Sequence, residues 1–571
     1  MSIATEYEPV VRTVSEDGVY TAAALTGANT VIMGWNMDDG VSRDDLMGFA
    51  IRRTQFDPDT EEILRRDWLN GQKRFRGVSE TAGFDVRSDQ APFQRFRWAD
   101  YTVNASHAYR YEIFPMRGRP GDLTRDNPVV LDVRPSGHVV DGTGIFFNRG
   151  VTSASAYFRR FRGLHPDEIG DDAAYRWLSR GLKESLLAFI DTTKAGETLH
   201  VAIYEFFLAE IAGALSAAHS RGVNLHIVYH AKAGDKATAE NEHNLRQAGL
   251  DDADLSTART NTSGISHNKF VVRLNSSGQP LALWTASANF SNNAFHFQTN
   301  CALTFDDTTI AELYEGYFRI LRRNLSARKE AGKPTLKDEI IALVQRFENS
   351  LPKPLEKVMF SPVREQHVVD AARELIGETR SAVFISAPFG LAQNDFHDAL
   401  EGNPRDIIEY GLANASAIKK MLSFNHHNTR FFPPRRLKSY MGETWDARAF
   451  GAHKIHAKTL VIDPWGDNPA VLIGSANFSK PSCTNNDENT LLFRGDKRIA
   501  AMVATEFLRM YEHYRARYWI EQIAREEMDS GRPADNSSWF LEENSGWSRT
   551  AFDPGVNSRK FRNRIVFSGG E

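Results

Sequence analysis

Two histidine–lysine pairs dominate the chemistry available to this chain. His267 and Lys269, and likewise His456 and Lys458, stand two residues apart, a spacing that on a strand puts both side chains on one face of a sheet. Each pair is followed, 20 or 19 residues on, by Ser-Ala-Asn, as Ser287 with Asn289 and Ser475 with Asn477. A lone His-x-Lys arises often by chance, but a repeated pair and triplet at one spacing is strong evidence. Brought together, two imidazoles, two ammonium groups and two hydroxyl/amide sets form an anion pocket suited to phosphodiester cleavage. A neutral imidazole attacks phosphorus in line and the opposite imidazolium protonates the departing oxygen. Lys269, Lys458, Asn289 and Asn477 offset the charge on the equatorial oxygens. The arrangement calls for no metal and no other cofactor, since the cationic side chains take the place of a divalent ion.

The elements that must position these residues are also duplicated. SHNKF at Ser266 to Phe270 is answered by IHAKT at Ile455 to Thr459, SANFS occurs at Ser287 and again at Ser475, and YFRIL from Tyr317 faces FLRMY from Phe507; the offsets are 189, 188 and 190 residues. Two homologous halves are the simplest explanation. In the first, LHVAIYEF (Leu199 to Phe206) reads as a buried strand, Ile211, Leu215 and Ala218 carry helical spacing to a stop at Gly222, and LHIVY (Leu225 to Tyr229) is strand again, a β-α-β unit. The second repeats that order through Val368, Ala372 and Leu375, then Ala382 to Ser386 and Ile407 to Leu412. A charged, proline-bearing stretch around a short amphipathic helix connects them.

Ahead of both halves the apolar residues alternate, as in Tyr109, Tyr111 and Ile113 against Arg110 and Glu112, which reads as half-buried strands of an antiparallel β-sandwich. The boundaries expected are a sandwich accessory domain over 1–138, a first half over 139–325, a connector over 326–355, a second half over 356–530 and a polar, basic surface tail over 531–571. The sandwich holds no catalytic constellation and is expected to serve docking or targeting. At roughly 100–200 residues per domain, 571 residues fit such a multi-unit chain. Hydrophobic residues at 41% exclude disorder and a collagen-like fibre. A formal net charge of −4 supplies no global field for polyanions, which demotes nucleic acid without eliminating it. Cys301 and Cys483 are too few for a disulfide framework or a cysteine-rich metal site. No uncharged apolar run reaches the ~18–20 residues of a membrane span and no signal peptide is recognisable; the expectation is a cytoplasmic protein.

The second half, HAKTLVID followed by GSANFSKPSCTNNDEN, resembles the phospholipase D superfamily signature H-x-K-x4-D with its G-S-x-N extension: His456, Lys458, Asp463, Gly474, Ser475 and Asn477 fall on it. The first half matches at His267, Lys269, Ser287 and Asn289, with Leu274 in place of the Asp and Ala286 in place of the Gly. The resemblance covers roughly residues 140 to 525. It implies an α/β fold of two α-β-α repeats packed with pseudo-twofold symmetry, and a covalent phosphohistidine route at one site between them. His267 is then the nucleophile, and His456 the general acid and later the base. The family also places an acidic residue some eleven positions after the motif Asn, where it orients the opposite half's His. Glu488 stands there in the second half and Asn300, an amide, in the first. By that cross-pairing Glu488 holds His267, while His456 lacks a carboxylate. Ser287, Ser475 and Asn300 are expected to bind phosphate or support the residues that do.

Alternation along its strand turns Asp463 away from His456 and Lys458, so Asp463, like Gly474, reads as scaffold. His426 and His427, adjacent and facing apart if extended, do not read as a metal pair. His230, His453 and Lys454 flank strand ends and read as packed or solvated. The leading function is phospholipase D-type hydrolysis of a phospholipid or small diester by a monomer, both halves lying in one chain, with transient contact to a membrane surface. Arg435, Arg436 and Lys438 with nearby aromatics point instead to a metal-independent nuclease, and Leu274 and Asn300 to a weakened phosphate-binding scaffold.

Overall fold

The computed structural model describes residues 6–71, 73–77, 86–150, 154–325, 334–391, 393–403, 407–414, 417, 429–432, 455–530, 540–555 and 559–570. His426, His427, Arg435, Arg436, Lys438, His453 and Lys454 lie outside the described residues.

Long runs of β-branched and aromatic residues, such as KFVVRL and AVFIS, are buried on both faces, as the centre of a sheet covered by helices on both sides requires. In the first half the strand order is Val139–Val140, Thr143–Phe147, Cys301–Phe305, Pro280–Ala286, Lys269–Leu274, Thr198–Ile203, Asn224–His230, Ser256–Arg259. In the second it is Leu355–Ser361, Glu488–Arg494, Ala470–Gly474, Lys458–Ile462, Ala382–Ser386, Ile408–Leu412, Thr429–Phe432. Apart from the short Val139–Val140 strand, the two sheets correspond strand for strand, with parallel and antiparallel pairings in the same places. The duplication inferred from the motifs extends to the whole α/β architecture.

The halves share one core. Phe270, Val272 and Phe305 of the first sheet pack in one cluster with Val358, Phe360 and Phe493 of the second. The helices bearing YFRIL and FLRMY, Thr308–Arg322 and Lys497–Ser530, line it: Tyr317 stacks on Phe360 with ring centroids 4.1 Å apart and Phe384 on Phe507 at 5.3 Å. The amphipathic helix expected in the connector runs over Leu336–Phe347, opened by a Thr335/Asp338 capping box, and buries Ile340 and Leu343 in the same core.

The N-terminal region forms a two-stranded sheet, Asn70–Gly71 with Val86–Arg87, and two large antiparallel sheets. One orders Val10–Val14, Tyr20–Thr26, Val31–Met37 and Arg97–Asp100; the other orders Asp122–Arg125, Ala108–Arg119, Leu46–Phe56 and Ile63–Trp68, with Val129–Val133 also on Ala108–Arg119. Trp35 from the first, and Phe49, Tyr111 and Leu131 from the second, share a core, as facing sheets do.

The C-terminal residues correct the expectation of a surface-lying tail. Trp547 enters the sandwich core, donates from Nε1 to the Leu46 carbonyl at 2.8 Å and stacks on Phe96. The helix Arg559–Phe567 follows. Its Arg564 is buried, with the guanidinium 3.8 Å from the Phe552 ring and Nε donating to the Ala551 carbonyl. Phe567 reaches Trp465 of the second half, and Gly34 makes room, since a Cβ there would lie 2.2 Å from the Phe567 carbonyl oxygen. Arg564 looked like part of a solvated strip because its burial depends on packing that hydropathy does not show: its guanidinium lies over Phe552 and bonds Asn36, 528 positions away.

Asp463 accepts backbone N–H bonds from Arg380, Ser381 and Ala382 at 2.9, 2.8 and 2.9 Å, and a fourth bond from the Ser381 hydroxyl. Leu274, its counterpart, is buried in the shared core instead. Asp463→Ala leaves these donors without their acceptor. At about 1–3 kcal/mol for unsatisfied buried polar groups, and about 2–4 °C per kcal/mol for a unit of this size, the variant should melt several degrees lower. An unchanged thermal transition removes the scaffold role.

Candidate active site at the seam between the halves

Each His-x-Lys strand is pinned at its N-terminal end by the other half. His267 N–H donates to the Asp487 carbonyl at 2.9 Å, and Asp487 N–H to the Ile265 carbonyl at 3.0 Å. In mirror position His456 and Ala457 donate to the Thr299 carbonyl at 3.1 and 2.7 Å. The backbone bridges Ser266 to Asp487 and Thr299 to Ile455 are thus pseudo-twofold images.

The side chains follow the same symmetry. His267 Nδ1 lies 2.7 Å from Glu488 Oε2, and His456 Nδ1 lies 2.8 Å from Asn300 Oδ1. Both are the cross-half pairings implied by the family resemblance. The two serines complete them: Ser475 donates to Glu488 at 2.7 Å and Ser287 to Asn300 Oδ1 at 2.8 Å, while their oxygens accept from Asn489 and Cys301 backbone N–H groups. The serines therefore hold the residues that hold the histidines. Asn300 Nδ2 donates to the Ala294 carbonyl, which leaves its oxygen to accept from His456 Nδ1–H. A carboxylate at Glu488 likewise requires the proton on His267 Nδ1, so Nε2 carries the lone pair. That Nε2 has no hydrogen-bond partner among the described residues.

Lys269 and Lys458 are buried, as the two-residue spacing requires. Lys458 Nζ sits 3.1 Å from His456 Nε2; Lys269 Nζ donates to the His267 carbonyl and lies 5.4 Å from the Tyr204 ring centroid. Burial, with Lys269 and Lys458 close by, holds the His267 imidazole well below its ordinary range, hence neutral. Burial lowers Lys269 strongly and brings Lys458 down to about 8, and it lifts Glu488 to about 7 against the pull of Lys269 and the Ser475 hydrogen bond. Asn289 and Asn477 each keep a buried carboxamide oxygen without a partner among the described residues. Gly474 has a packing reason: a Cβ there would meet the Asn489 carbonyl oxygen at 2.3 Å.

Several contributors were not legible as site residues in the sequence. Arg259, fully buried, pairs with Asp487 at 3.0 Å and fixes the loop that carries Glu488. Asn489 Nδ2 donates to Asn268 Oδ1 at 3.0 Å, and its oxygen accepts from Thr285 and Tyr314 of the first half. His230, read as packed or solvated, is buried, accepts the Ser266 N–H at Nδ1 and contacts Asp235 through Nε2. Glu205 accepts from Asn289 Nδ2 at 2.5 Å. The strand expected to run to Phe206 ends at Ile203, because the Phe206 N–H is taken by the Asn241 side chain; this frees Glu205 to turn toward the site. The sequence reading placed Glu205 inside that strand; only the observed end at Ile203 puts it just past the C-terminal end of a sheet strand, where open α/β sheets bind ligands.

Residues 186–322 and 420–511 match the family described as cardiolipin synthase, PLD-like domain. The match lies within the duplicated region and gives those residues as a phospholipase D-like domain in two segments. No curated protein matches the sequence. Among solved structures, phosphatidylserine synthase of Haemophilus influenzae Rd KW20 is similar at 12% identity and a TM-score of 0.41, over 62% of this chain and 92% of that one. Polyphosphate kinase of Porphyromonas gingivalis gives 13% and 0.35, over 57% and 43%. Nuc of Salmonella typhimurium, a phospholipase D family member, gives 23% and 0.21, over 25% and 86%. Among the described residues no helix is long and apolar enough to cross a membrane.

Lys458 loses its charge as pH rises through about 8. Dimethyl phosphate, which keeps one negative charge throughout, should therefore bind less tightly above that pH, and Lys458→Arg should move the loss upward because guanidinium stays protonated. Equilibrium binding against pH measures this; an unmoved midpoint in the arginine variant removes Lys458 as its source.

Proposed function

We propose that the chain is a phosphodiesterase that works through a covalent phosphohistidine at this single site, with phospholipase D-type cleavage of a phospholipid or small diester as its reaction. The observation that carries the reading is the pair of Nδ1 hydrogen bonds across the seam, one to a carboxylate and one to an amide, with His267 Nε2 unoccupied. Neutral His267 attacks phosphorus through Nε2. The bond to the departing alcohol breaks, and that oxygen takes a proton from His456 Nε2, for which the Lys458 ammonium is a source 3.1 Å away. Glu488 balances the positive charge left on the phosphorylated imidazole. An amide partner stabilises an imidazolium less than a carboxylate does, which suits His456 to donating its proton. His456 then takes a proton from water, the water oxygen attacks phosphorus, and the P–N bond breaks. The two lysines and the Asn289 and Asn477 amides bear on the equatorial oxygens.

With bis(p-nitrophenyl) phosphate, whose leaving group departs without help, His267→Ala should give no turnover and no phosphoenzyme. His456→Ala should accumulate acid-labile phosphohistidine on His267 while steady-state turnover falls by about 10²–10⁴. Phosphate trapped on neither histidine, with anion binding intact, identifies a phosphate-binding scaffold instead. A product panel of phosphatidylcholine vesicles, plasmid and oligonucleotide separates the lipid reading from a nuclease.

A further inference from the structure

The site is symmetric in its histidines, lysines, serines and motif asparagines, but a second carboxylate, besides Glu488 opposite Asn300, breaks the symmetry. Ala202 faces Phe270 and Ser386 faces Thr459 in equivalent registers of the two sheets. Three residues further on, the first half has Glu205 and the second has Phe389, about half exposed. Glu205 lies inside the phosphate site: it accepts from Asn289 Nδ2, and its charge acts on both Lys269 and Lys458.

Asn289 supplies the second observation. It is only 5% exposed, one amide hydrogen is committed to Glu205, and its oxygen is buried with nothing among the described residues to accept from. A buried acceptor without a donor is costly unless a ligand supplies one. A phosphodiester oxygen cannot, being an acceptor itself. The unmet demand is for a donor group, placed beside a carboxylate and next to the phosphate. The charges agree: among the described residues that face one another here, Lys269, Lys458, Glu205 and Glu488 sum to zero whether all are ionised or all neutralised, a balance that does not favour a polyanion. A zwitterionic ligand, with one phosphate charge for the lysines and one cation for Glu205, leaves that balance undisturbed.

Resting on the phosphodiester reading above, we propose that Glu205 and Asn289 Oδ1 form an acceptor pair for the ammonium of a zwitterionic phosphodiester, which makes Glu205 a specificity-determining residue. Burial pushes the Glu205 carboxyl above its ordinary range, and the Asn289 hydrogen bond and Lys269 draw it back only in part; a bound cation would hold it ionised. A polynucleotide, with a negative charge at each neighbouring phosphate, meets repulsion at the same place.

The test compares ligands that differ only in that charge. Phosphoethanolamine, whose primary ammonium carries N–H donors, and its isostere with an uncharged head, n-propyl phosphate, are measured by equilibrium binding, and their p-nitrophenyl diesters by kcat/KM. The unsubstituted protein should favour the ammonium member by about tenfold or more, the scale of one partly buried charge pair. Glu205→Gln should bring the two within about twofold, with Glu205→Asp in between. A structural role for Glu205 would weaken both ligands alike and keep the ratio, which overturns the proposal, as does equal affinity in the unsubstituted protein. Preferential binding without turnover of either diester would count against the phosphodiesterase reading alone.

Discussion

The active-site geometry depends on a hydrogen bond that neither half can make by itself, from His267 to Glu488 across the seam. An imidazole can present either nitrogen, and only a fixed partner on one decides what the other offers. Placing that partner on the sister half means that His267 is oriented only when the halves are docked. The same holds for His456 and Asn300. The remaining seam contacts serve this constraint: the buried Arg259–Asp487 ion pair, the paired backbone bridges and the Asn268–Asn489 hydrogen bond all set the distance at which these partners meet. Breaking a buried pair of this kind costs far more than making it contributes, so the seam tolerates few partial solutions.

The departures of the first half from the motif are local. Leu274 replaces the motif acid at a strand end buried in the shared apolar core. Ala286 replaces the motif glycine and is itself buried among apolar side chains. Asn300 keeps the geometry of Glu488 while removing its charge. The two imidazoles are thus held alike and balanced differently, as the proposed division of labour between His267 and His456 requires.

Much of this arrangement was legible in the chain. The spacing of His267, Lys269, Ser287 and Asn289 against His456, Lys458, Ser475 and Asn477 disclosed the duplication, and Glu488 and Asn300 could be placed by counting once the family pattern was seen. Alternation alone separated Asp463 from the site. Arg259, Asn268 and Glu205 could not be found that way, because their significance lies in partners brought close only by tertiary packing and because no second copy marks them. The C-terminal segment was misread for a related reason: hydropathy weighs neighbours in sequence, and Trp547 and Arg564 find their environment at Leu46 and Asn36.

That last contact has a bearing on how the chain assembles. The sheets formed by the earliest residues close their apolar interior with an indole that follows them by some five hundred positions. Contacts so remote in sequence form late and slowly. Until the segment bearing Trp547 has been made, the face around Trp35, Phe49 and Phe96 stays uncovered, a liability for self-association during synthesis. The sandwich is sewn shut by Trp547, and removing the segment that carries it would be felt first in those distant sheets.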